Sequence, residues 1–261
     1  MSQVTSRDGT TIGFDRSGRG PAVIIVDGAF CSRAFGPSAK LAPLLAKHFT
    51  VYAYDRRGRG QSGDTPPYSP SREVEDLAAL IQEAGGSASL VGLSSGGALA
   101  LEAAASGLPI TRIVAYEPPY VDDTGDRGGA AHEGQLVRLL AAGHRGGAVR
   151  YFMKDMVGAP APMVVMMRLM WWIWRQLEAV AHTVPYDARI MTEFRIPRAR
   201  FATVRVPVLV MNGTKTDVRL RDVARTLASV VPGAQYRELE GQTHNVRPGV
   251  LTPAAVEFFT R

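Results

Sequence analysis

Five consecutive residues, Gly92-Leu93-Ser94-Ser95-Gly96, hold the serine of this chain best placed to act as a nucleophile. They follow the apolar run 88–91 and open the small-residue run 98–105, so a strand, a sharp turn and a helix succeed one another. Only flanking glycines tolerate such a turn, and the turn lifts the central hydroxyl clear of the sheet. That hydroxyl is Ser94; in the frame of Ser95 the flanking positions are Leu93 and Gly97. A Gly/Ser turn that merely starts a helix is spelled the same way, so the partners decide.

A serine hydroxyl is a poor nucleophile at neutral pH and needs a base, which a third group orients. Of His48, His132, His144, His182 and His244, only His244 lies between the last predicted strand and the last predicted helix. A loop there can return it to the edge that carries Ser94. Two carboxylates stand at strand ends between Ser94 and His244 in chain order: Glu117, before Pro118 and Pro119, and Asp217. The prolines fix the backbone of Glu117, and a charge at a buried strand end has few other duties. Asp217 is placed to cap a helix starting at Val218. Glu117 is therefore the favoured acid and Asp217 the alternative. An oxyanion needs two backbone N–H groups aimed at one point. Ser95 offers one; Gly28 or Ala29, in the loop after residue 26, offers the other. Asp27 and Phe30 flank those donors and are candidate substrate contacts, although a structural hydrogen bond within the loop explains Asp27 equally well.

For these groups to meet, the elements carrying them must end at one edge. Two β-prone stretches around Asp8-Gly9, within residues 4–14, predict a hairpin. Residues 21–26 form an apolar run without a polar face, as in a strand buried on both sides. Helix 40–47, strand 49–54, helix 71–84, strand 88–91, the turn with its helix, and strand 110–116 follow. Strand 206–211, helix 218–230, strand 235–239 and helix 250–259 close the chain. This alternation predicts an α/β fold: a mostly parallel, doubly wound sheet with its active site at the carboxyl ends of the strands. The core is assigned to residues 1–120 and 204–261.

Residues 121–203 break the alternation and are assigned as a helical cap inserted after the sixth strand. Two helices are expected within 132–157, joined around 143–147, and a single helix over 163–183, rich in methionine and tryptophan. Met166, Met167, Met170, Trp171 and Trp174 most simply pack against their own neighbours. To the extent that this stripe faces the site, Met167 and Trp171 line a wide apolar substrate pocket.

With 261 residues and 46% apolar composition, the chain can bury one large core. Its net charge of +6 comes mostly from scattered arginines, without a block of like charge or an aromatic-basic interleaving. Neither nucleic acid nor a membrane is expected as partner; a small-molecule substrate is, and a homodimer stays open. Gly58-Arg59-Gly60-Gln61-Ser62-Gly63 spells a G-x-G-x-x-G after a strand, but the following Asp64-Thr65-Pro66-Pro67 cannot open the helix of a dinucleotide cradle. Cys31 is the only cysteine, and H-E-x-x-H and phosphate-loop motifs are absent, so no metal or cofactor is expected. The N-terminus shows no secretory signal, and the apolar run 163–174 is shorter than the roughly 20 residues that span a bilayer. A cytoplasmic location is the default expectation.

The motifs Val26-Asp27-Gly28, Tyr54-Asp55-Arg56-Arg57-Gly58-Arg59-Gly60-Gln61-Ser62, Gly92 to Gly97, Val206-Pro207-Val208-Leu209-Val210 and Gly241-Gln242-Thr243-His244 resemble those of the α/β-hydrolase superfamily over nearly the whole chain. Asp27-Gly28 stands where the family usually has His-Gly. With the double serine and the glutamate after the sixth strand, this resembles the branch of the fungal zearalenone lactonases. That likeness implies Glu117 as the triad acid and Gly28 as an oxyanion donor. The expected activity is cofactor-independent hydrolysis of an ester or lactone in a small, fairly apolar molecule. Carbon–carbon cleavage, acyl transfer or cyclisation on the same residues is the alternative, and a binding protein without turnover a third.

Overall fold

The computed structural model describes residues 2–120, 129–191 and 194–261. An eight-stranded sheet runs in the order β1-β2-β4-β3-β5-β6-β7-β8. Here β1 is Ser2–Thr5, β2 Thr11–Ser17, β3 Ala22–Val26, β4 Thr50–Tyr54, β5 Ala88–Leu93, β6 Ile110–Tyr116, β7 Val208–Gly213 and β8 Gln235–Leu239. The expected hairpin forms, with Thr5 opposite Thr11 and Gly9 at φ 86° in its turn. β1/β2 and β2/β4 are antiparallel and every later pair is parallel. The wholly buried β4 and β5, without a polar face in their sequence, occupy the interior of this sheet.

Helices α1 (Ser38–Leu45), α2 (Pro70–Glu83), α3 (Ser95–Ala105), α10 (Val218–Val230) and α11 (Pro248–Thr260) cover the sheet. Two apolar cores result. One packs α2, α3 and α10 on one face through Leu77, Leu99 and Leu227; the other packs α1 and α11 on the opposite face through Leu41, Leu45 and Phe258. The order of strands reverses at β3, which lies between β4 and β5. Such a switch point opens a crevice at the carboxyl edge, and the loops after β3 and β5 both enter it.

Between β6 and β7 the described residues hold helices α4 (Gly129–Ala141), α5 (Arg145–Tyr151), α6 (Ala161–Leu169), α7 (Trp171–Ala179), α8 (Val184–Ile190) and α9 (Arg198–Phe201). Residues 121–128, where the insertion was expected to begin, lie outside the described residues. α4 and α5 meet near Gly143, as their glycines predict, and α5 runs on into a wider π turn at Phe152–Met156. The single helix expected over 163–183 is instead two helices and a short 3-10 turn, Ala181–Thr183, broken at Met170 with φ −79° and ψ 74°. A straight helix would set Val164 and Trp174 about 15 Å apart along its axis. The break lets both enter a third core with Leu136, Phe152 and Leu177.

Candidate active site

Ser94 follows β5 directly and stands at the position before α3, at φ 54°. That backbone is strained for any residue with a Cβ, and the glycines around it leave the necessary room. A Cβ on Gly92 would lie 2.5 Å from the Gly96 carbonyl oxygen, and one on Gly96 would collide with the carbonyl of Val26. The Ser94 N–H donates to the Tyr116 carbonyl at 2.9 Å, which ties the turn to the end of β6. Glu117, the next residue, sits at φ 46°. A residue before proline ordinarily stays extended, so this left-handed turn is held against its local preference. The Glu117 N–H donates to Met211, and its side chain is driven inward beneath β7.

There Glu117 Oε1 accepts from the Gly213 N–H at 2.8 Å and from the Thr216 hydroxyl at 2.5 Å. Oε2 lies 2.7 Å from His244 Nδ1. His244 is 39% exposed while Glu117 is fully buried, so the ring reaches from the interior towards solvent. Tyr116 donates its hydroxyl to the Thr243 carbonyl at 2.6 Å and steadies the loop that carries His244. Asp217, the alternative acid, caps α10 by accepting from the Arg219 N–H at 2.9 Å, and it also pairs with the Arg219 guanidinium.

Gly28 faces Ser94: a Cβ built there would lie 3.0 Å from Ser94 Cβ and 3.6 Å from its Oγ. The carbonyls around it are taken by arginines. Arg56 donates to Asp27 O at 3.2 Å and Arg59 to Gly28 O at 2.6 Å. A trans peptide points its N–H opposite its carbonyl, so these two bonds orient the N–H groups of Gly28 and Ala29. The Ser95 N–H, at the first position of α3, has no acceptor within its helix.

What holds the arginines is not visible in the sequence. Asp187, on α8 and fully buried, accepts from Arg56 at 2.8 Å and Ser95 Oγ at 2.7 Å through Oδ1, and from Arg59 at 2.6 Å through Oδ2. These cations hold its carboxyl below the usual carboxylate range against the opposing effect of burial. Glu73 on α2 takes the far side of Arg56 at 2.6 and 2.8 Å. The three arginines in four positions after β4 were the signal that buried anions were needed.

Asp27 is buried, with Ser38 donating to its Oδ2 at 2.5 Å, while Oδ1 has no partner. The structural bond, with α1, thus accounts for its position, and burial pushes its carboxyl up to about 6. Phe30, at φ 62°, turns into the insertion and meets Phe152 edge to face at 5.2 Å. Cys31 donates to Ala29 O, and burial raises its thiol to about 12, far from a reactive thiolate. Met167 is half-buried within the insertion's own core, and Trp171 is 63% exposed.

A strained serine and a histidine-carboxylate pair at one edge of such a sheet define a hydrolase of the α/β type. Residues 22–257 match the profile of the Alpha/beta hydrolase family, and the chain belongs to it. An alpha/beta hydrolase from Sphaerobacter thermophilus is similar at 51% identity and TM-score 0.92, over 99% of this chain and 100% of that one. The fold is also that of an enol-lactonase from Burkholderia xenovorans, at 21% identity and TM-score 0.73 with both chains wholly covered. An esterase from Thermogutta terrifontis shares it at 20% identity and TM-score 0.77, over 99% and 97% of the two chains. No curated protein sequence matches the chain. The likeness to zearalenone lactonases gains no support from these relatives.

Proposed function

We propose that the chain is a cofactor-independent serine hydrolase that opens an ester or lactone of a small, fairly apolar molecule through an acyl-enzyme. The observation that carries this reading is the 2.7 Å contact between His244 Nδ1 and Glu117 Oε2 at the edge where Ser94 is held at φ 54°. Ser94 Oγ attacks the carbonyl carbon as His244 Nε2 takes its proton, and the proton passes to the leaving alcohol. Water, deprotonated by the same nitrogen, then cleaves the acyl-enzyme and restores Ser94. Glu117 keeps Nδ1 protonated and Nε2 free for this work. The Ser95 N–H, with that of Gly28 or Ala29, stabilises the oxyanion.

No hydrogen bond joins Ser94 Oγ to His244; such bonds commonly tighten only in a substrate complex. The activities of the lactonase and esterase that share its fold agree with the reaction class. The apolar surroundings of Ala29 and Phe30, in contact with the insertion, favour an apolar acyl or alcohol group.

Ser94→Ala is expected to lower turnover of a short p-nitrophenyl ester by about a thousandfold or more, with the melting curve unchanged. Undiminished turnover rejects Ser94 as nucleophile. Fluorophosphonate labelling at Ser94 separates an enzyme from a protein that only binds its ligand.

A further inference from the structure

Seven of the nine large apolar side chains exposed on the described residues lie between positions 157 and 172, Val165, Met166, Leu169, Trp171 and Trp172 among them. α6 buries only Val164, and its one charged residue is Arg168. A surface helix ordinarily turns a polar stripe to water, whereas this one turns out apolar groups, with Leu169 at 78% exposure. A contiguous apolar surface of this kind marks contact with another body.

A cavity of about 480 Å³ sits between α5, α6 and α7, lined by His144, Arg145, Arg150, Arg168, Trp174 and Glu178 among others. Glu178 Oε1 accepts from Trp174 Nε1 at 2.8 Å, and Arg145 donates to the carbonyls of Glu178 and Ala179 at 3.2 and 3.1 Å. Arg150 and Arg168 form no ion pair with any described residue. Lys154 and Arg175 are exposed nearby in the chain. With Asp155 and Glu178 as the carboxylates against Arg145, Arg150, Lys154, Arg168 and Arg175, the patch joins protruding apolar side chains to an excess of basic groups.

We propose that this face of the insertion seats the protein on an anionic lipid surface. Trp171, Trp172 and Leu169 lie at the acyl boundary, and Arg150 and Arg168 meet headgroup phosphates. No described helix is long and apolar enough to cross a membrane, so the segment rests in the interface. Lipid phosphates supply the counter-charge that Arg150 and Arg168 lack within the chain. Composition gave no reason to expect a membrane partner; the placement of the apolar residues does.

The test uses the full chain with vesicles of phosphatidylcholine alone or mixed with phosphatidylglycerol, read by co-sedimentation and by the blue shift of tryptophan emission. Mixed vesicles are expected to bind about tenfold or more tighter, and added salt to release the protein. Arg150→Glu with Arg168→Glu should abolish that preference. Leu169→Ser with Trp172→Ser should lose vesicle binding while cleavage of a soluble ester is unchanged, which separates this proposal from the catalytic one. Equal binding to both vesicle types, or full binding by both variants, overturns it. So does a dimer in solution that the Leu169→Ser, Trp172→Ser variant dissolves, since the face then belongs to a second copy.

Discussion

The insertion between β6 and β7 has a root and a tip that differ in what surrounds them. At the root, α8 sends Asp187 into the core, where Arg56, Arg59 and Ser95 satisfy both its oxygens. At the tip, α6 and the start of α7 hold Leu169, Trp171 and Trp172 out to solvent. The root is fastened by charge-assisted bonds in a dry interior, each dependent on its partner. The tip is fastened by apolar packing, with Val164 and Trp174 buried and Met167 and Ile173 half-buried against the third core. One segment therefore combines a fixed attachment beside the backbone of Asp27 and Gly28 with an outer surface free to meet something else.

Substitutions of graded effect can break or sharpen this contrast. Asp187→Ala leaves two buried guanidinium groups short of an anion and should destabilise the fold by about 3–5 kcal/mol. Leu169→Ser with Trp172→Ser should stay within about 0.5 kcal/mol of the parent. Similar losses in denaturant unfolding would mean that the tip is packed as firmly as the root. Asp187→Asn, which keeps the shape and drops the charge, should lower kcat more than it changes KM, because Arg59 then holds the Gly28 carbonyl less firmly. A proportionate rise in KM alone would argue against that link.

Asp27 lies beneath the same root and tests its charge balance. Its folded pKa of about 6 exceeds the unfolded 3.8, so the native state binds the extra proton. Stability from this group therefore falls as pH rises from about 4 to 6 and stays lower above, by on the order of 3 kcal/mol. Asp27→Asn should raise the melting temperature at pH 8 and leave it nearly unchanged at pH 4. An equal shift at both values would remove the charge from the explanation.

A small effect on stability is also expected at Asp217, whose ion pair with Arg219 is exposed. Asp217→Asn keeps much of the α10 cap and should cost about 1 kcal/mol or less, with turnover near the parent value. Glu117→Gln, by contrast, should lower turnover by about a hundredfold or more. The reverse ranking would move the triad acid to Asp217.

Much of this site is legible in the sequence because its requirements are local. The glycines around Ser94 announce a turn in which neighbouring backbones touch, and a short α3 of small residues confirms close approach. His244 is singled out by its place after β8, since parallel topology sends that loop to the same edge. Asp217 reads in the sequence as a helix cap, and the structure contains that cap. Asp187 was not legible: 128 residues separate it from Arg59, and no local pattern shows which carboxylate a distant guanidinium will meet. Nor was the break at Met170, because apolar periodicity in 163–179 is satisfied by one long helix as well as by two short ones. The positive φ of Glu117 is set by what lies under β7, against its local preference before a proline.

Tyr116 and Glu117 are neighbours, and so are Thr243 and His244; each member of the first couple grips its counterpart in the second. Two parallel clasps of this kind prevent the imidazole from swivelling independently of its carboxylate. Displacement of β6 would carry base and acid along together, with their separation preserved. Under the proposed mechanism, room for a bulkier substrate would therefore have to come from the loop of Ala29 and Phe30, which packs against the insertion.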